Sequence, residues 1–161
     1  MRMTLELELP RDSLTIPLAR HLASNAMREV GVREECVGDV EVALTEACTN
    51  VVDHAGPGSA YRVQFSIDGH DCSIRIIDVG PGFDSVDAGT VPAGPGAESG
   101  RGIALMRALM DRVQFESGRE AGTLVHLQKD VVYSEDAPAK RLGPGPGPAE
   151  SGDGQARSLS G

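Results

Sequence analysis

Apolar and polar residues alternate strictly through Thr4-Leu5-Glu6-Leu7-Glu8-Leu9, which predicts a half-buried strand. Leu14, Leu18, Leu22 and Met27 then recur at helical spacing, predicting a helix from Ser13 to about Val30. Pro17 fits only the first turn of that helix, and Gly31 supplies its stop. A second helix is predicted from about Arg33 to Ala55, with an apolar stripe of Val37, Val40, Leu44, Ala47 and Val51. Gly56-Pro57-Gly58 ends it. Tyr61–Ile67 and Ser73–Ile77 have strand character around an Asp68-Gly69-His70-Asp71 hairpin turn. Residues 79–99 form a long loop rich in Gly, Pro and Ser. A short helix from Gly102 to about Asp111 follows, then a strand near Val113–Glu116. A turn through Gly118–Gly122 leads into a last strand from Thr123 to about Val132. The order β, α, α, β, β, long loop, α, β, β is satisfied by a two-layer α+β sandwich. Its helices cover one face of a mostly antiparallel sheet.

Composition divides the chain. Residues 137–161 hold six of its twenty glycines and four of its ten prolines, with no aromatic residue. The run Gly143-Pro144-Gly145-Pro146-Gly147-Pro148 supports neither a helix nor a strand ladder. The expected organisation is one domain over residues 1–134 and a disordered Gly/Pro-rich tail over 135–161. The whole chain of 161 residues lies in the single-domain range.

Charge and cysteine content narrow the class. Acids outnumber bases 24 to 15, the net charge is −9, and no basic run exceeds Lys140-Arg141. Nonspecific nucleic-acid binding, which needs clustered Lys and Arg to meet phosphates, is disfavoured. No apolar run approaches the roughly 20 residues of a spanning helix, and the N-terminus has no apolar signal core. Neither a membrane nor a nucleic-acid partner is expected. Cys36, Cys48 and Cys72 are an odd, widely spaced set without a CxxC pair, so neither a zinc site nor a disulfide framework is indicated. A reducing, cytoplasmic setting fits best.

Three segments carry chemistry. In the second helix, Glu46, Asn50 and His54 fall at i, i+4 and i+8, a polar line away from the apolar stripe. A glutamate can take a proton, and an Asn carbonyl oxygen is a hard ligand for Mg²⁺. The same line is also the ordinary solvated face of an amphipathic helix. Asp78-Val79-Gly80-Pro81-Gly82-Phe83 leaves the end of an apolar strand. Asp78 there can accept from an exocyclic amine such as N6 of adenine, and Gly80 and Gly82 allow close backbone approach to a flat ligand. A Gly-Pro-Gly turn with an Asp bonded to its own backbone is the other reading. Glu98-Ser99-Gly100-Arg101-Gly102 places two glycines at a helix start, where free N–H groups receive anions. No Lys-Ser/Thr follows, so it is not a Walker A loop. Read apart from the others, it is also a flexible linker.

The order and spacing of the three segments resemble the N-box, G1-box and G2-box of the GHKL (histidine kinase-like) ATPase superfamily, over about residues 4–132. The phrases LTEACTNVVDHA and SGRGIALMRALMD look like the small bacterial anti-sigma regulatory factors, which are serine/threonine kinases. The resemblance implies the Bergerat-type ATP-binding fold, with ATP and Mg²⁺ as ligands. It implies Asn50 as the Mg²⁺ ligand and Glu46 as the general base, with His54 in support. It implies Asp78 on adenine, Gly80 and Gly82 along base and sugar, and Gly100, Arg101 and Gly102 around the phosphates. Gly122-Thr123 matches a pair found beside the base, although Thr123 is equally a β-former at a strand start. The implied partners are a sigma factor, an anti-anti-sigma (STAS) protein as phosphoacceptor, and a possible second copy of the chain. The lean loop 83–99 leaves an alternative open, a nucleotide-gated binding module without useful turnover.

Overall fold

Alternation in the first residues produces strand β1 (Arg2–Pro10), whose odd-numbered side chains turn toward the core. Asp12 then accepts a hydrogen bond from the Leu14 amide at 2.8 Å and caps a single 3-10 turn, Ser13–Thr15. Helix α1 (Ile16–Glu29) continues from it with Pro17 in its first turn. A computed structural model of the chain describes residues 1–54, 60–79, 97–118 and 122–142.

The buried side of α1 consists of Ile16, Ala19, Ala23, Ser24 and Met27. The leucines picked out by their spacing face outward instead: Leu14, Leu18 and Leu22 are 82, 49 and 40% exposed. Alanines on the inner side let the helix backbone approach its neighbours closely, and this packing outweighs the larger apolar area of the leucine row. The helix ends on Gly31 at φ +84°. The Gly31 amide donates to Arg28 O and the Val32 amide to Met27 O, the paired bonds of a Schellman cap.

Helix α2 (Glu34–His54) follows the expected pattern, with Val37, Val40, Leu44, Ala47 and Val51 fully buried. Strands β2 (Ala60–Asp68) and β3 (Asp71–Val79) make the expected hairpin, turning at Gly69 with φ +61°. Helix α3 (Ala97–Leu109) starts earlier than expected, so Gly100 and Gly102 lie inside the helix rather than opening it. Each such glycine costs about 1 kcal/mol relative to alanine. Tertiary packing offsets this: Met106 is fully buried, and Gly102 is buried against α2. Strands β4 (Arg112–Gly118) and β5 (Gly122–Asp130) complete the sheet.

The sheet order is β1-β2-β3-β5-β4, with every neighbouring pair antiparallel. Register aligns the inward side chains of all five strands. Val63 pairs with Ile76, and Ile76 with Val125, placing all three on the covered face. The three long helices lie on that face, with α2 between α1 and α3. The opposite face is polar, crossed by contacts of Arg62 with Glu6 and Glu8 and of Ser73 with His126. This is the two-layer α+β sandwich expected from the sequence.

Order continues beyond residue 134. The Val131 amide donates to His70 O, Tyr133 Oη donates to Gly69 O, and the Ser134 amide donates to Gly31 O. Ala137 is buried and leads into a short helix α4 (Pro138–Arg141). The boundary expected at 134 is therefore too early. A side chain at position 31 would lie 2.6 Å from Ala137 Cβ, so residues 131–141 seat directly on the bare backbone of Gly31. Residues 143–161, the remainder of the expected tail, lie outside the described residues.

Candidate functional site

The expected site residues on α2, β3, α3 and β5 come from four separate elements. The C-terminal half of α2 lies over the end of the sheet where β3 finishes. Cys48 on α2 and Tyr61 on β2 are both fully buried in the shared core, and Tyr61 is paired in register with Asp78. Tyr61 Oη and Thr15 Oγ1 are 2.9 Å apart, which ties this end of the sheet to the start of α1. Arg11, just past β1, donates to Val52 O near the C-terminus of α2 at 3.2 Å.

Burial sets the chemistry of these groups. It pushes the Cys48 thiol and the Tyr61 phenol up to about 12, so both stay protonated at neutral pH and neither acts as a nucleophile there. Asp78 is 1% exposed, a carboxylate held inside the sandwich at a strand end. Thr123 is half-buried on β5, one step before Leu124, whose register partner is Ile77. Asp78 and Thr123 each stand one position beyond that last register pair, on neighbouring strands.

Glu46 and Asn50 are both half-buried, one turn apart on α2. Glu46 faces two ways. On one side it lines an open groove of about 290 Å³ with Arg20 and His21 of α1 and Glu41, Val42 and Thr45 of α2. On the other it touches α3: a Cβ built at Gly102 would lie 2.6 Å from Glu46 Oε2. The same construction at Gly100 meets nothing within 4 Å, and Arg101 is exposed. This donor set fits a magnesium nucleotide. It comprises a buried acceptor for an amine, a carboxamide oxygen for a hard cation, and the exposed Arg101 guanidinium for an anion. Gly80 and Gly82 lie outside the described residues, as does the loop 83–96. His54 is the last residue of α2. Among the described residues no cluster of His, Cys, Asp and Glu makes a metal cage, and no helix is long and apolar enough to cross a membrane.

Two features of the site carry no motif signal. The groove between α1 and α2 arises only when two helices distant in sequence are packed together. Lys129 is the second: its Nζ donates to Leu109 O at 2.6 Å and pairs with Asp39 at 2.9 Å, which holds the C-terminal end of α3 to α2. A cation on the last carbonyls of a helix is favoured there by the macrodipole.

Residues 9–129 match the histidine kinase-like ATPase domain. The chain belongs to that family. Among curated relatives, the serine-protein kinase RsbW of Halalkalibacterium halodurans is 31% identical over 141 residues, covering 80% of this chain and 86% of that protein. The anti-sigma F factor of Clostridium acetobutylicum is 27% identical over 138 residues, covering 82% and 96%. A solved structure of the RsbU and RsbW domains of a Mycobacterium tuberculosis protein superposes with a TM-score of 0.62 at 19% identity. It matches 80% of this chain and 32% of that longer one, and supports the fold. Within the histidine kinase-like ATPases the chain groups with the small anti-sigma serine/threonine kinases. ATP binding is a property of that family.

Proposed function

We propose that the chain transfers the γ-phosphoryl group of ATP to a serine or threonine of a STAS-type anti-anti-sigma protein, and that in its other state it holds a sigma factor. The observation that carries this reading is the two-sided placement of Glu46, with a groove open to an outside protein on one side and α3 on the other. The names of the curated relatives, kinase in one case and anti-sigma factor in the other, support the same pair of roles.

In this reading Asp78, with Thr123 beside it, receives the adenine amine. Gly80 and Gly82 line the base and sugar. Gly100, Arg101 and Gly102 lie along the phosphates, Arg101 through its guanidinium and the two glycines by leaving room for close approach. Asn50 presents its carboxamide oxygen to Mg²⁺, which when bound neutralises phosphate charge. Glu46 accepts the proton of the attacking hydroxyl and aims it at the γ-phosphorus. Phosphoryl transfer depends mainly on positioning and charge neutralisation, so a single carboxylate base beside a held triphosphate is chemically sufficient. A second copy of the chain, paired through β1 or α1 about a two-fold axis, belongs to the same reading.

The deciding experiment combines calorimetry with a transfer assay. Mg-ATP binds the wild type, Asn50→Ala loses the Mg²⁺-dependent part of that affinity, and Glu46→Gln binds normally but does not label a STAS-domain acceptor. Absence of binding heat at millimolar Mg-ATP would sink the reading. Wild-type binding without labelling of the cognate acceptor selects the nucleotide-gated module instead.

A further inference from the structure

We infer that Gly102 is a positioning residue for Glu46: the side chain absent at 102 leaves the space occupied by the Glu46 carboxylate, so the place of α3 sets the place of the base. The inference rests on the reading of Glu46 as general base and adds the element that aims it.

The geometry is specific. A Cβ at position 102 would stand 2.6 Å from Glu46 Oε2, but 3.6 Å from Glu46 Cδ and 3.8 Å from Glu46 Cβ. Only the tip of the glutamate is in conflict; the rest of its side chain is at ordinary contact distance. The other helix glycines described, Gly38 in α2 and Gly100 in α3, have nothing within 4 Å of the same position. Glycine is a poor helix former, and Gly102 sits in the sixth position of a 13-residue helix. Close approach to Glu46 is what its bare backbone permits here.

The far end of α3 is anchored to α2 as well. Lys129 bridges Leu109 O and Asp39, so α3 meets α2 at its C-terminal end and again near its middle, there through the base itself. Residues proposed to receive the phosphates and the residue proposed to take the proton therefore share one contact. Nucleotide that seats α3 also seats Glu46.

Gly102→Ala is a steric displacement of the base that leaves the base chemically intact. The conflict involves the end of a flexible side chain, so the fold is retained and the carboxylate moves. Glu46→Asp withdraws the carboxylate by one methylene and removes the conflict. We would measure Mg-ATP affinity and the kcat and KM of transfer to a STAS-domain protein of the same genome. The full chain is compared as wild type, Gly102→Ala, Glu46→Asp, the double variant and Glu46→Gln. Gly102→Ala should lose about 10–100-fold in kcat measured at saturating Mg-ATP, beyond any change in Mg-ATP affinity, the scale of a misplacement near 1 Å. In the Glu46→Asp background the same substitution should cost less than about threefold, since the two changes relieve one contact. Equal losses in both backgrounds, or a loss explained wholly by nucleotide affinity, overturn the positioning role. Full transfer by Glu46→Gln removes the base reading and the positioning role with it; impaired Glu46→Gln with additive losses removes the positioning role alone. Should Gly102→Ala fail to fold, the double variant is compared with Glu46→Asp. Equal transfer by the two supports the contact, and failure of the double variant to fold overturns it.

Discussion

Lys129 joins Asp39 across the sandwich at 2.9 Å with only 12% of its side chain exposed, and its ammonium also donates to the final carbonyl of α3 at Leu109. One side chain from β5 thereby fastens α3 to α2. Lys129→Met retains the aliphatic stem and removes the charge. The pair is partly exposed on the Asp39 side, at 35%, so its loss costs less than that of a fully buried pair. A destabilisation of about 1–2 kcal/mol is expected, with a fall in melting midpoint of about 3–8 °C. Calorimetric unfolding of the two proteins measures it.

Gly31 and Gly69 both adopt positive φ, and their surroundings make them unequal. A side chain at Gly69 meets open space, so Gly69→Ala should cost only the left-handed backbone penalty, about 1 kcal/mol. A side chain at Gly31 would collide with Ala137 and Pro138 at 2.6–2.9 Å. Gly31→Ala should therefore cost more than Gly69→Ala and loosen residues 131–141. Denaturant unfolding ranks the two variants, and hydrogen exchange at the Ser134 and Ala139 amides, which donate to Gly31 O and Val30 O, locates the loosening.

Asp78→Asn tests the nucleotide end of the site. The carboxylate is buried and presents acceptors only, whereas the amide presents a donor on one side. A hydrogen bond to a charged acceptor is worth about 1.5–3 kcal/mol. Affinity for Mg-ATP should therefore fall by about 10–100-fold, and preference for adenine over guanine nucleotides should weaken. Titration calorimetry with Mg-ATP and Mg-GTP gives both quantities.

His126 is held below the ordinary histidine range, first by burial and then by the neighbouring Arg75 guanidinium, with Ser73 Oγ 2.8 Å from its Nε2. Folding thus favours the neutral ring. Its contribution to stability is present above the unfolded pKa near 6.5 and is lost as pH falls through the lower folded value. The melting midpoint of the wild type should drop between pH 7.5 and pH 5 by more than that of His126→Gln. Equal drops would assign the acid sensitivity to other groups.

Much of this architecture is legible in local pattern. The apolar stripe of α2, the β2–β3 hairpin and the Gly31 stop follow from periods and turn residues that act over a few positions, and the structure places them where the pattern does. α1 and α3 show where pattern fails. The leucine row of α1 has helical spacing, but spacing alone does not say which side of a helix meets the core. Alanines that permit close approach won that side. In α3 the glycines look like a helix start because their local propensity is poor, yet contact with α2 carries the helix through both of them.

The residues nominated for the site were likewise readable, because their types and spacing are local facts: Glu46 one turn from Asn50, Asp78 at a strand end, Thr123 at a strand start. The sequence by itself determined the helix and strand order, the family resemblance and the inventory of donors and acceptors. Only the tertiary structure decided that Asp78 and Thr123 come to neighbouring strands, that Glu46 lines a groove with Arg20 and His21, and that Gly102 lies against the Glu46 carboxylate. These are contacts between residues far apart in the chain. Their formation depends on the summed packing of helices on a sheet, a quantity that no short window of residues contains.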